Sequence, residues 1–241
     1  LIHDDLVDKS VLRRGQETLH TIWPAGATVL AGDYLLGQAT LLIAELDHSR
    51  VCRVFADVLC TMCAGEIRRM LSAPNAPERW QDYYQGIEAK TASLFAASAE
   101  MAGLLAGAEE SQIAALRCFG RELGMAFQIV DDVLDLTGDE ALLGKPQGSD
   151  LRQGLLTLPV LYYLERSENP NPVSAVLAGQ RDEAQILAAI EAVCSSGAIE
   201  ASLREARIHA RRSQEALMIL PDNASCQMLH SLAEYIIERR K

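Results

Sequence analysis

The chain has 241 residues, 49% of them hydrophobic, which is enough for one large domain with a sizeable buried core and argues against a disordered protein. Its 22 Lys and Arg against 33 Asp and Glu give a net charge of −11 and a pI near 4.9. That balance argues against nucleic acid or an anionic membrane surface as the main partner and favours a cationic one, metal ions included.

The chain opens on LIHDDLVDKSVLRRG, an apolar, helix-like run that places Asp4, Asp5 and Asp8 together. Like charges one turn apart on a helix repel by roughly 0.2–0.5 kcal/mol per pair, so some binding gain must offset them. The run has no initiator Met and begins in mid-pattern, which leads us to expect a missing N-terminal portion; nor does it have the pattern of a signal peptide. A breaker-rich stretch, RRGQETLHTIWPAG, predicts a loop. After it, residues 27–46, 53–71, 80–108 and 111–136 are Ala- and Leu-rich with apolar residues at helical spacing, and SAPNAPE reads as a loop between the second and third. The fourth of these runs contains FQIVDDVLDLTGD, where Asp131, Asp132 and Asp135 repeat the opening arrangement. Loops follow at TGDEALLGKPQGSD and SENPNPV, and the last third, residues 182–241, again has helical periodicity. Alternating strand patterns are lacking, so the expected fold is an all-α, single-domain helical bundle over residues 1–241.

Every apolar run is interrupted by Glu, Asp, Arg or Lys, and no stable membrane insertion is expected. The six cysteines lie scattered in helix-like sequence, and the CxxC at Cys60 and Cys63 has no second pair to complete a zinc site. They read as reduced thiols of a cytoplasmic protein.

On a helix, Asp4 and Asp8 share a face with Asp5 beside them, and Asp131, Asp132 and Asp135 do the same. Such patches of hard oxygen donors suit Mg²⁺, which is commonly shared between one or two carboxylates and substrate phosphates. A solvated acidic face is the plain explanation for either cluster alone. Both, however, are flanked by apolar residues and followed by cationic, Gly-containing loops, KSVLRRG and GKPQGSDLRQG. Lys9, Arg13, Arg14 and Lys145 in those loops are suitable phosphate partners.

The ordered series DDLVD…RRG, AGDYLL, AKTASLF, FQIVDDVLD and GKPQGSDLRQGLLTLP resembles the trans-isoprenyl diphosphate synthases, the polyprenyl synthetase family, over nearly the whole chain. The resemblance implies an isoprenoid-synthase bundle with a central apolar cavity, and a reaction in which an allylic diphosphate is elongated by isopentenyl diphosphate with Mg²⁺. It also implies metal binding at Asp4, Asp5, Asp8, Asp131, Asp132 and Asp135, allylic diphosphate at Arg13, and isopentenyl diphosphate at Arg14. Lys90 and Lys145 match further diphosphate-binding lysines, while Thr91 and Gln128 match residues beside the reacting carbons. Without the resemblance, Lys90 could be a snorkelling helix lysine, Thr91 a helix back-bonder, Gln128 a partner for a neighbouring helix, and Lys145 a loop charge.

Leu155 departs from the pattern, standing where the family usually has a lysine on the allylic diphosphate. TLPVLYYL and LAEYIIERRK resemble long-chain enzymes more than farnesyl or geranylgeranyl synthases. Four other readings compete: a short-chain synthase, a non-catalytic partner subunit of a heteromeric synthase, a terpene cyclase, against which the RRG segment speaks, and a di-iron bundle. The last draws on Glu-x-x-His spacing at Glu17–His20 and Glu45–His48. A homodimer follows from the family resemblance only.

Overall fold

The structure is a computed structural model, and it describes residues 1–13, 15–71, 79–138, 146–168 and 171–239. The helices are α1 (Ile2–Val7), α2 (Leu19–Ile22), α3 (Ala25–Ala44), α4 (Ser49–Leu71), α5 (Arg79–Ile87), α6 (Ser93–Leu105), α7 (Glu110–Thr137), α8 (Ser149–Gln153), α9 (Leu158–Arg166), α10 (Pro172–Leu177), α11 (Glu183–Ser195), α12 (Ala198–Ala216) and α13 (Ala224–Glu238). Two strands, β1 (Leu12–Arg13) and β2 (Gln16–Glu17), form an antiparallel hairpin. They are the only strands among the described residues, and the all-α expectation holds.

Local chemistry sets the helix ends. Glu109 and Gln112 form a capping box that starts α7. Asn171, Asp182 and Asn223 accept backbone N–H groups at the starts of α10, α11 and α13. His48 accepts the Val51 N–H at 3.3 Å at the start of α4, so the second Glu-x-x-His pair ends in a helix cap.

Helix α7 is the spine. Its buried residues include Phe119, Leu123, Ile129, Val133 and Leu136, and it packs against α6 and α12, with α13 also against it. The approach to α6 is close, because a Cβ added at Gly120 would lie 2.4 Å from the Phe95 carbonyl oxygen and one at Gly124 would lie 2.6 Å from the Ala92 Cα. A second body of core, built on Val160, Val173, Val176, Ile190 and Val193, joins α9, α10 and α11 to the C-terminal end of α7.

Three expectations need correction. The run 80–108 is not one helix: α5 and α6 are joined by a π-helical turn, Glu88–Ala92. In the stretch after the second aspartate group, where the sequence reading placed two loops and assigned no helix, lie α8, α9 and α10. Finally, α3 is long and apolar enough by length and composition to cross a membrane, with Asp33 its single acid.

Candidate functional site

The first aspartate group sits on α1 and its C-cap. Asp5 is buried and accepts a hydrogen bond from Arg13 Nε at 2.8 Å, the chain turning back after α1 where the Ser10 N–H bonds the Asp5 carbonyl at 3.0 Å. Thr18 fastens that return, its hydroxyl donating to the Ser10 carbonyl at 2.5 Å. Asp8 caps α1, and the next residue, Lys9, lies in the left-handed region at φ 53, a conformation that costs energy for a side-chain-bearing residue and concentrates at functional sites. Asp4 stays partly open to solvent.

The second group divides sharply by exposure. Asp131 is 48% exposed and lies 3.3 Å from Arg239, whose guanidinium also donates to the Phe127 carbonyl and stacks 4.0 Å over the Phe127 ring. Asp132 is 4% exposed and accepts from Tyr83 Oη at 2.7 Å and Gln128 Nε2 at 2.9 Å. Burial, with the charge of Asp150 next, pushes its carboxyl up to about 8 in spite of those two donors. Burial and the neighbouring Asp132 likewise raise the Tyr83 phenol, which therefore stays a donor. Asp135, 2% exposed, accepts the Asp150 N–H at 3.1 Å while its carbonyl takes the Gly148 N–H, so it holds the start of α8 in place.

The two groups meet across the π-helical turn. Lys90 Nζ lies 3.1 Å from Asp8 Oδ2, and the adjacent Thr91 donates to Gln128 Oε1 at 2.8 Å, which in turn bonds Asp132. Two neighbouring residues thus reach the two aspartate groups, and a π turn is the kind of helix irregularity often found at functional sites. The turn is held from behind by Arg121, which bonds Glu88 at 2.6 Å and also the buried Glu122. Burial opposes ionisation of Glu122, yet the hydrogen bond from His209 at 2.7 Å and the Arg121 charge leave its pKa lowered.

Of the residues singled out from the sequence, Lys90 contacts Asp8, Thr91 and Gln128 form a hydrogen-bonded chain to Asp132, and Arg13 pairs with Asp5. Asp4 lies on the helix of Asp5, Asp131 and Asp135 lie on the helix of Asp132 with partners elsewhere, and Arg14 and Lys145 lie outside the described residues. Leu155 is half-buried just after the left-handed Gly154, its N–H bonded to the Asp150 carbonyl. Arg69, Glu66, Tyr83 and Arg239 escaped the sequence reading. Arg69 on α4 bonds Asp8 at 3.0 Å and Glu66, and Glu66 is also 3.9 Å from Lys90. The tandem Arg68–Arg69 beside Glu66 at the C-terminal end of α4 was the available signal.

Among the described residues no three His, Cys, Asp or Glu side chains already form a metal cage. The set fits Mg²⁺ in a different manner: accessible carboxylates on two elements can each give one or two oxygens, with waters and substrate phosphates supplying the rest. Among the described residues no metal-holding group of carboxylates surrounds the Glu-x-x-His pairs, and the His20 ring hydrogen-bonds Thr18.

The family model for polyprenyl synthetase matches residues 1–193. The chain belongs to the polyprenyl synthetase family. Component 2 of the heptaprenyl diphosphate synthase of Geobacillus stearothermophilus is 38% identical over 99% of this chain and 74% of its own length. A polyprenyl synthase from Caulobacter crescentus, solved with calcium and isoprenyl diphosphate, superposes with a TM-score of 0.93 at 35% identity, covering 100% of this chain and 74% of that one. A decaprenyl diphosphate synthase from Rhodobacter capsulatus gives a TM-score of 0.91 at 34% identity, with 100% and 75% covered.

Proposed function

We propose that this polyprenyl synthetase condenses isopentenyl diphosphate with an allylic diphosphate to make a long-chain trans-polyprenyl diphosphate. The observation that carries the reading is the π-helical turn whose Lys90 and Thr91 lead to the two separate aspartate groups. A diphosphate between the groups would then have carboxylate-bound metal on both sides and a lysine at its edge. The heptaprenyl and decaprenyl products in the names of the relatives support a long chain.

In this reading Asp4, Asp8 and Asp131, the accessible members, would hold the metal, and the buried Asp5, Asp132 and Asp135 would complete each group. Magnesium, when bound, neutralises the charge that develops on the departing diphosphate oxygens. Arg13, released from Asp5 or bridging to it, and Lys90 add fixed positive charge at the same place, in a site where such charge is worth more than in water. Thr91 and Gln128 hold one another beside the reacting carbons. Arg14 takes the isopentenyl diphosphate and Lys145 the diphosphate, by resemblance alone. Each added CH₂ buried in an apolar lining contributes about 0.8 kcal/mol, so elongation and retention of the product go together.

The protein also acts as a homodimer in this proposal. Helix α3 exposes Leu30, Tyr34, Leu35, Leu41 and Leu42, more contiguous apolar surface than isolated chains usually leave in water. The Geobacillus relative is named as one component of its synthase, which makes a different chain the competing occupant. Six free cysteines support a reducing, cytoplasmic setting.

Incubation with isopentenyl diphosphate, farnesyl diphosphate and Mg²⁺ should give chain-extended products, resolved by length in chromatography. Asp131→Ala should lower that turnover roughly 10²–10³-fold or more with an unchanged circular dichroism spectrum. Absence of extended products, or a fully active Asp131→Ala, would overturn the proposal.

A further inference from the structure

We infer that Arg69 binds the diphosphate group of the allylic substrate, a role that rests on the proposed function but that the motif resemblance does not assign. Three elements converge on one small cluster: Asp8 at the end of α1, Glu66 and Arg69 on α4, and Lys90 on the π-helical turn. Arg69 donates to Asp8 Oδ1 at 3.0 Å and, through Nε, to Glu66 Oε1 at 2.8 Å. Lys90 takes the opposite oxygens, Asp8 Oδ2 at 3.1 Å and Glu66 Oε2 at 3.9 Å. Two carboxylates and two cations therefore neutralise each other, formally to zero.

That neutrality decides what the cluster can accept. A divalent cation taken up by Asp8 would sit close to the guanidinium and the ammonium, and the cluster would carry an excess of two positive charges. An anion of high charge must then arrive with the metal, and a diphosphate is such an anion. Arg69 is one-third exposed, so it can turn without leaving a buried cavity, and its second terminal nitrogen has no hydrogen-bond partner among the described residues. A planar guanidinium with free N–H groups next to a metal-binding carboxylate suits bidentate capture of phosphate oxygens. Asp8 and Glu66 hold Arg69 within reach until the ligand comes.

The competing explanation is that Arg69 only screens Asp8 and Glu66 from one another. The two are separated by isothermal titration calorimetry of Arg69→Gln with inorganic pyrophosphate in the presence of Mg²⁺, and with Mg²⁺ alone. Loss of a charged hydrogen-bonding partner should weaken pyrophosphate binding roughly 10- to 100-fold. The KM for farnesyl diphosphate should rise in step, while the KM for isopentenyl diphosphate and the thermal midpoint stay put. Arg69→Lys, which keeps the charge and loses the fork, should fall between, and it carries the comparison if the Gln variant does not fold. Unchanged pyrophosphate affinity in both variants, or tighter binding of Mg²⁺ alone without any loss of pyrophosphate, would overturn the role of Arg69 and leave the synthase reading intact. A wild-type protein that binds no pyrophosphate with Mg²⁺ would overturn both.

Discussion

Asp132 accepts hydrogen bonds at both carboxyl oxygens, from Tyr83 and from Gln128, in a place almost closed to solvent. A donor removed from a buried carboxyl costs about 1–3 kcal/mol, so Tyr83→Phe should lower stability by that order in urea denaturation and reduce Mg²⁺-dependent turnover, since Asp132 loses one of its two anchors. The pKa of about 8 also sets a pH dependence. An unfolded Asp titrates near 4, so between pH 4 and 8 the folded, metal-free protein binds the proton that the unfolded chain has released. Stability on account of this group therefore falls as pH rises through that window and levels above it. Urea midpoints measured from pH 5 to 8.5 should decline less steeply for Asp132→Asn than for wild type. The aspartates themselves were legible because their spacing is local. Tyr83, Arg69 and Arg239 were not, since they reach their carboxylates across 49, 61 and 108 residues of chain, and only the packed helices bring them there.

Helical periodicity revealed α7 because it buries one continuous stripe between α6 and α12, and it revealed α3 although that helix buries only Thr28 and Gly32. It did not reveal the π-helical turn, whose widened register depends on tertiary partners such as the Arg121–Glu88 bond and carries no mark in residue type. The short helices α8, α9 and α10 were hidden by Gly and Pro, which here act at helix boundaries: Gly148 and Gly154 flank α8 in the left-handed region, and Pro159 and Pro172 lie in first turns. The turn that carries Lys90 and Thr91 is positioned by the close approach of α6 to α7, and that approach can be tested. Gly120→Ala would thrust a methyl against the backbone at Phe95, and overpacking of this kind costs about 1–3 kcal/mol. Gly86→Ala, on α5 with nothing within 4 Å of the new Cβ, should be neutral or stabilise by about 0.5–1 kcal/mol. Comparing the two denaturation midpoints separates loss of space from helix propensity.

At the scale of the whole molecule, the unresolved balance lies in α3, whose apolar face is open along 20 residues. Its possible occupants include a second copy, a different chain and lipid. Asp33 decides against lipid, because it lies near the middle of the helix, 3.2 Å from His3 of α1, and an acid at the centre of a spanning helix costs about 2.5–3.5 kcal/mol. Helix α1 also lies against α3 at Gly32, where the His3 ring would be only 2.4 Å from an added Cβ. The helix that anchors the first aspartate group therefore also carries the open apolar face, and a homodimer formed there, as proposed, would steady the site. Sedimentation velocity at micromolar concentration should show a dimer for the wild type and a monomer for Leu41→Glu, which places a charge at a position already 58% exposed and so spares the fold of the single chain. Neither protein should float with liposomes. A dimer that survives Leu41→Glu would move the interface off this face, flotation of the wild type would restore the lipid alternative, and a wild-type monomer that does not float would overturn the homodimer.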